Sequence, residues 1–235
     1  MTSVDVVIPV YNEEAALVHS ITVLRNVLTA HLPYNWRIVI ADNGSTDGTL
    51  SVATNLSQQY PSVSCLHLEK KGRGRALRKA WLESSADIVS YMDVDLSTRL
   101  DAFPLLIGAI NDGYDIAIGS RLIADSLVIN RTVKRELTSR SYNLLIRAMF
   151  FPSFHDAQCG FKAVKHHIAQ ELIPVIQDQA WFFDTELLLL AERKGYRIKE
   201  IPVEWTDDPD TRVRIARTAW EDVKGLFRLR FPPPF

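Results

Sequence analysis

The first 120 residues alternate between short apolar runs and stretches with helical spacing, and few folds accommodate that order. The run at 4–10 (VDVVIPV) is rich in β-branched residues, which is typical of a strand buried in a parallel sheet. The same reasoning predicts strands at 36–41, 63–68, 88–92 and 116–118, separated by helices at 13–32, 50–60, 75–84 and 102–111. This order indicates an α/β fold with a parallel sheet, in which ligands bind beyond the carboxyl ends of the strands.

The pattern changes after Arg121, where helical spacing predominates. The sequence predicts helices at 131–151, 185–194 and 216–229, a strand at 158–164 and an edge strand at 197–205. The final helix is amphipathic, with Trp220 and Phe227 on one side, and the tail at 231–235 is expected to be flexible.

The composition is that of an ordinary soluble globular chain. Of its 235 residues, 47% are hydrophobic and 23% are charged, which excludes a disordered polymer. No run approaches the roughly 20 apolar residues needed to cross a bilayer, and no secretory signal precedes the first strand. With two cysteines and no disulfide framework, the chain is expected to be cytoplasmic.

The formal net charge of −1 conceals two basic segments. The segment 131–147 has five basic residues against one acidic residue, and the segment 212–230 has six against two. Two basic segments on an otherwise acidic chain suggest an anionic partner at one face. Charge alone favours the simpler interpretation of two solvated helix faces, and no recognised nucleic-acid-binding motif accompanies them.

Polar clusters follow several of the predicted strands. Asp93 and Asp95 form an Asp-Val-Asp sequence after an apolar strand, where the two carboxylates could share Mg²⁺ or Mn²⁺ or simply cap a helix. The segment 42–49 could hydrogen-bond a base or ribose, or form an ordinary turn. The segment 9–14 could likewise either contact the nucleoside or form an ordinary turn. The segment 70–75 places cations and two glycines before a helix, which suits a diphosphate.

Taken in order, these segments resemble the family 2 glycosyltransferases, and most closely the polyprenyl-phosphate (dolichyl-phosphate) sugar synthases. The resemblance rests on VVIPVYNEE, ADNGSTDGT, KGRGRALRKAW, MDVDLS, IGSR, DAQCGFK and WFFDTELL, which run from residue 6 to residue 188. It implies a type-A glycosyltransferase fold, a Rossmann-like mostly parallel sheet flanked by helices. It also implies one domain over 1–230, with a nucleotide-sugar-binding half at 1–120 and an acceptor half at 121–230 that carries interfacial helices.

The resemblance also implies which residues bind the nucleotide-sugar donor. Asp95 would ligate Mg²⁺ or Mn²⁺ on the diphosphate, and Asp93 would contact both the nucleotide and the metal. Asn43 departs from the family pattern, which often has a carboxylate at that position. The other residues expected on the donor side are Pro9, Tyr11, Asn12, Glu13, Asp42, Lys71, Gly72 and Arg75.

The expected acceptor is the phosphate of a polyprenyl or dolichyl lipid, and the expected reaction inverts the anomeric centre. Because a phosphate is already ionised near neutral pH, it needs no general base. Arg121, Arg135 and Ser139 match the family's acceptor-phosphate positions, and Arg212 keeps a cation where the family motif differs. UDP-glucose is the first choice of donor, with GDP-mannose and a UDP-N-acetylhexosamine as alternatives.

Two rival functions remain open from the sequence. A family 2 enzyme that acts on a glycan hydroxyl would need a carboxylate base, for which Asp156, Asp184 and Glu186 are candidates. A binding module without catalysis is the other rival, and the intact Asp-Val-Asp motif argues against it. Because the lipid acceptor is held in a membrane, the enzyme is expected at its cytoplasmic face, through direct peripheral contact or a separate membrane-protein partner.

Overall fold

The computed structural model of the chain describes residues 2–207 and 215–231. Its strands are β1 Ser3–Val10, β2 Asn35–Asn43, β3 Val63–Leu68, β4 Ile88–Met92, β5 Ile116–Ser120, β6 Leu127–Ile129, β7 Phe161–Lys165, β8 Ile198–Pro202 and β9 Glu204–Thr206. Its helices are α1 Glu14–His31, α2 Thr49–Gln59, α3 Arg73–Leu82, α4 Phe103–Asn111, α5 Val133–Phe150, α6 His166–Leu172, α7 Phe183–Arg193 and α8 Ile215–Arg230.

Seven strands form one mostly parallel sheet in the order β3-β2-β1-β4-β7-β5-β8. Only β7 runs antiparallel to its neighbours, between β4 and β5. The five strands predicted before residue 120 are confirmed, and β8 lies at the edge as predicted. A separate parallel pair, β6 with β9, continues the chain beyond the ends of β5 and β8.

Alternating residues of the strands supply two apolar cores, one on each face of the sheet. In β1, Val6 and Ile8 pack with α1, α2 and α4, whereas Val7 faces the core formed with α3, α6 and α7. Since strands buried on both faces must be apolar throughout, this explains the continuous apolar runs of the sequence. The two layers of helices leave the carboxyl ends of the parallel strands accessible.

Several predicted boundaries were wrong. Helix α3 begins at Arg73 instead of residue 75, and the strand expected from residue 158 begins at Phe161. The edge strand expected at 197–205 divides into β8 and β9, and α6 was not predicted. A single apolar periodicity cannot reveal such breaks, because short apolar runs fit strands and helices alike.

Helix α5 leaves an apolar face uncovered by the described residues. Tyr142 and Ile146 are buried, whereas Val133, Leu137, Leu144 and Phe151 are each 66–85% exposed. In α8, Leu226 and Asp222 are buried while Trp220 and Phe227 are exposed. No helix in the described part of the chain is long and apolar enough to span a membrane. Arg212 and residues 232–235 of the predicted tail lie outside the described residues, and the remaining tail residue, Phe231, is exposed.

Candidate active site

The loops that follow β1 and β2 are joined into one rim of the site. The two strands are in parallel register, so that Val10 lies beside Asp42. Beyond them, the Asn12 backbone N–H donates to Ser45 Oγ at 3.0 Å, and Asn12 Oδ1 accepts from the Thr46 backbone N–H at 2.8 Å. Asn12 has a φ of 57°, a left-handed conformation that asparagine tolerates better than most residues. It therefore joins the two loops.

The residues predicted to contact the nucleoside lie around this rim. Pro9 is near the end of β1, and Glu13 immediately precedes α1, with its backbone N–H donating to Thr49 Oγ1 at 2.8 Å. Asp42 is fully buried, and its Oδ2 is 2.6 Å from His67 Nδ1 on β3. The interaction with His67 was not predicted, because it depends on the pairing of β2 with β3.

The cationic loop before α3 lies against the same rim. Lys71 Nζ is 3.4 Å from the centre of the Tyr11 ring, which is a cation–π contact. Asn43 Oδ1 accepts a hydrogen bond from the Gly72 backbone N–H at 2.5 Å. The structure thus brings Tyr11, Asn43, Lys71 and Gly72 together. Their contact with a nucleotide diphosphate stays a prediction.

Two residues of this loop are constrained by the chain around them. A Cβ on Gly72 would lie 2.5 Å from the Gln179 carbonyl oxygen, so only glycine fits. Arg75, expected to contact the nucleotide, donates through Nη1 to the Lys71 carbonyl at 2.6 Å. In this structure, Arg75 therefore stabilises the loop.

Asp93 and Asp95 lie at the carboxyl end of β4 and line one small pocket together with Gly160 and Trp205. Asp95 Oδ1 accepts from the Ser97 backbone N–H at 2.9 Å, which ties the carboxylate to its own turn. No group of three or more His, Cys, Asp or Glu side chains forms a metal cluster in the described chain. Two carboxylates nevertheless fit Mg²⁺ or Mn²⁺, since such ions commonly complete their shells with substrate phosphates and water.

A buried network of charged and polar groups holds Asp93, and the motifs did not predict it. Arg73, at the start of α3, donates through Nη2 to Asp93 Oδ1 at 2.8 Å and through Nη1 to Asp184 Oδ2 at 2.6 Å. Asp184 also accepts from Tyr91 Oη and pairs with Lys162 Nζ at 3.1 Å. Burial alone would raise the pKa of Asp184, but Lys162 and Arg73 lower it, so the carboxylate stays ionised.

The predicted acceptor side begins with Arg121, directly after β5. Its guanidinium donates to both oxygens of buried Asp156, at 2.7 and 2.9 Å, and lies 5.3 Å from the centre of the Trp205 ring. Burial on its own would raise the pKa of Asp156, yet Arg121 lowers it to about 2. Since Trp205 also lines the pocket of Asp93 and Asp95, Arg121 is near the predicted metal site.

The other predicted acceptor residues lie on α5. Arg135 forms an ion pair with Asp207, two residues beyond Trp205 in sequence. Ser139 is buried one turn further along the helix, and its Oγ has no hydrogen-bond partner among the residues that the structure describes. Arg121 and Arg135 therefore both contact the segment around β9, through Trp205 and Asp207 respectively. The position of Arg212 lies outside the described residues.

The model of the glycosyl transferase family 2 domain matches residues 5–173 of this chain. The chain belongs to this family of glycosyltransferases. Its relatives include glycosyltransferase AglD of Haloferax volcanii, which is 35% identical over 95% of this chain. They also include the dolichyl-phosphate beta-glucosyltransferase of Saccharomyces cerevisiae, which is 28% identical over 96% of this chain.

This chain spans only part of the length of these longer relatives. The chain covers 35% of AglD and 73% of the yeast enzyme. Among solved structures, glucosyl-3-phosphoglycerate synthase of Mycobacterium tuberculosis superposes with a TM-score of 0.72 and 18% identity, covering all of this chain and 81% of the other. That structure holds Mn²⁺, UDP-glucose and phosphoglyceric acid. At this identity the likeness establishes the glycosyltransferase fold that the sequence predicted.

Gly160 provides a test of how this family 2 site holds its Asp93 carboxylate. A Cβ on Gly160 would lie 1.8 Å from Asp93 Oδ2, and Arg73 limits how far the carboxylate can move. We expect Gly160→Ala to reduce sugar transfer by on the order of 10²-fold, because misplaced catalytic groups cost about that much. Initial rates at saturating donor would measure the loss.

The matched control is Gly108→Ala on α4. A Cβ on Gly108 meets nothing within 4 Å, so the protein should gain about 0.5–1 kcal/mol of stability and keep its activity. If Gly160→Ala kept wild-type activity, the close packing at Gly160 would not be what fixes the position of the Asp93 carboxylate.

Proposed function

We propose that this chain transfers glucose from UDP-glucose to the phosphate of a polyprenyl (dolichyl) phosphate, with inversion at the anomeric carbon. The observation that carries the proposal is the position of Arg121, whose guanidinium packs on the same Trp205 that lines the pocket of Asp93 and Asp95. A cation beside the donor pocket suits an anionic acceptor. The name of the yeast relative, a dolichyl-phosphate beta-glucosyltransferase, supports the same substrates.

The candidate catalytic bases argue against a hydroxyl acceptor. Asp156, Asp184 and Glu186 are all buried. Asp156 is paired with Arg121, Asp184 is paired with Arg73 and Lys162, and Glu186 Oε2 accepts from Arg228 at 2.7 Å. A general base near neutral pH needs a pKa close to that pH and contact with the incoming proton. Asp156 and Asp184 instead have lowered pKa values. These pairings favour an acceptor that arrives already ionised.

With a phosphate acceptor, the reaction forms one bond and breaks one bond without a proton transfer. One phosphate oxygen forms the new bond to the anomeric carbon, while the bond from that carbon to the diphosphate breaks and UDP leaves with the electron pair. No proton has to be removed, since the phosphate is ionised before it attacks. The protein's task is to align the two anions and to stabilise the charge on both.

The donor side of the site has residues for this task. Lys71 and the Gly72 loop would lie against the diphosphate, while buried Asp42 would orient the nucleoside. Asp93 and Asp95 would hold Mg²⁺ or Mn²⁺, which when bound stabilises the negative charge of the departing diphosphate. Arg73 would keep Asp93 oriented toward the metal without itself contacting the donor.

The exposed apolar side chains suggest how a lipid acceptor is reached. Val133, Leu137 and Leu144 form an exposed row along α5, and Trp220 and Phe227 are exposed on α8. Apolar and basic residues together suit the interface of a membrane with anionic lipids. We therefore favour direct peripheral contact at the cytoplasmic face of the membrane over recruitment by a separate membrane-protein partner.

Arg135 provides the test for the acceptor assignment. We expect Arg135→Ala to raise the acceptor KM about tenfold or more and to leave the donor KM within twofold, since loss of a charge-assisted bond costs about 1.5–3 kcal/mol. Steady-state kinetics with a short-chain polyprenyl phosphate would separate the two constants.

The control is Arg147→Ala, which removes the same charge from an exposed position on α5. Its acceptor KM should stay within twofold of wild type. If Arg135→Ala also left both constants unchanged, Arg135 would not contact the acceptor phosphate.

A further inference from the structure

An open cleft of about 470 Å³ lies beside β6 and the start of α5. Arg121 and Arg131 line it together with the apolar side chains of Val128 and Val133. The family motifs in the sequence include Arg121 but not Arg131. A cleft that combines guanidinium groups with apolar side chains suits an amphiphile whose anionic group adjoins a hydrocarbon chain.

Arg131 is held inside this cleft by two described neighbours. Its Nη1 donates to Glu136 Oε2 at 2.7 Å, and its guanidinium carbon lies 5.6 Å from the centre of the Trp205 ring. The side chain is only 8% exposed. Trp205 thus packs against both Arg131 and Arg121, which brings the two cations to one aromatic ring.

The Nε–H group of Arg131 is an unsatisfied hydrogen-bond donor. It is buried and has no hydrogen-bond partner among the described residues. Burial lowers the pKa of Arg131, and the nearby Arg121 guanidinium lowers it further. A buried N–H without an acceptor and two neighbouring like charges are both unfavourable. An anion in the cleft would reduce the repulsion between the two guanidinium groups.

We propose that Arg131 binds the phosphate of the acceptor together with Arg121, and that the lipid chain leaves the cleft past Val128 and Val133. This inference rests on the proposed function. The donor diphosphate is the other possible source of a phosphate here. The apolar side chains favour the acceptor, because the donor has no hydrocarbon chain to bury.

Arg131→Gln tests the proposal directly. The acceptor KM should rise about tenfold or more, and the donor KM should stay within twofold, because of the two substrates only the acceptor loses a charge-assisted contact. Arg131→Lys keeps the charge but lacks the fork of the guanidinium, so its acceptor KM should rise by a smaller factor. Thermal unfolding would show whether each variant is folded. If Arg131→Gln is not folded, the acceptor KM of Arg131→Lys tests the proposal instead.

Arg147→Gln is the control for a general effect of charge, since Arg147 is exposed on α5 outside this cleft. An acceptor KM within threefold of wild type in Arg131→Gln would overturn the proposal. So would a rise in the donor KM as large as that in the acceptor KM, because Arg131 would then contact the donor. If the wild-type protein transferred no sugar to any polyprenyl phosphate, the proposed function would fail instead.

Discussion

Asp95→Asn should reduce sugar transfer by on the order of 10²- to 10³-fold while leaving the protein folded. The asparagine oxygen can still accept the hydrogen bond that Ser97 donates to Asp95 Oδ1, so the turn after β4 should persist. What the variant loses is a negative charge that would face the proposed metal ion. Removing one group that stabilises charge in a transition state costs about this factor. Initial rates at saturating Mn²⁺ and donor would measure the loss.

Asp101→Asn is the matched control for this experiment. Asp101 is an exposed aspartate that pairs with Arg99, so its loss should change the rate by less than twofold. Donor binding in the presence and absence of Mn²⁺ would complete the comparison. If Asp95→Asn turned over at the wild-type rate, or if the wild type kept full activity after chelation of divalent ions, the metal assignment would be wrong.

Arg73→Met should have the largest effect on stability. The substitution removes a buried cation and leaves Asp184 and Asp93 without their 2.6 and 2.8 Å hydrogen bonds. Removing one partner of a buried ion pair typically costs about 3–5 kcal/mol, and we expect the free energy of unfolding to fall by about that amount here. Activity should also fall, since Asp93 would no longer be held toward its pocket. Chemical unfolding would give the free energy difference.

Lys79→Met separates this effect from a general loss of charge on α3. Lys79 is exposed on the same helix and pairs with Glu83 one turn away at 3.5 Å, so its loss should cost no more than about 0.5 kcal/mol. A cost for Arg73→Met as small as that for Lys79→Met would mean that the buried network contributes little to the fold.

Much of the sheet could be predicted because its signal is local. Each buried parallel strand is a continuous apolar run, and each helix that covers it repeats its apolar residues every three or four positions. The orientation of β7 could not be predicted in this way. It lies antiparallel between β4 and β5. Its direction depends on where the chain returns to the sheet after α5, not on the residues of the strand itself.

The site shows the same division between local and distant information. Asp93 and Asp95 could be predicted because they directly follow an apolar strand. The burial of Arg73 could not, since its partner Asp184 is 111 residues away in sequence. The contact of Trp205 with Arg121 and Arg131 likewise requires two segments that are far apart in sequence to meet. A motif reveals the residue types at a site, whereas the residues that position them become visible only in the fold.

One measurement tests most directly whether the acceptor is an ionised lipid phosphate. The protein would be incubated with Mn²⁺ and radiolabelled UDP-glucose, in parallel with a short-chain polyprenyl phosphate and with the matching polyprenol. A further pair of reactions would use GDP-mannose. We expect lipid-linked radiolabel from UDP-glucose with the phosphate, and none with the alcohol. Transfer to the polyprenol at a comparable rate, or no transfer to the phosphate, would contradict the account.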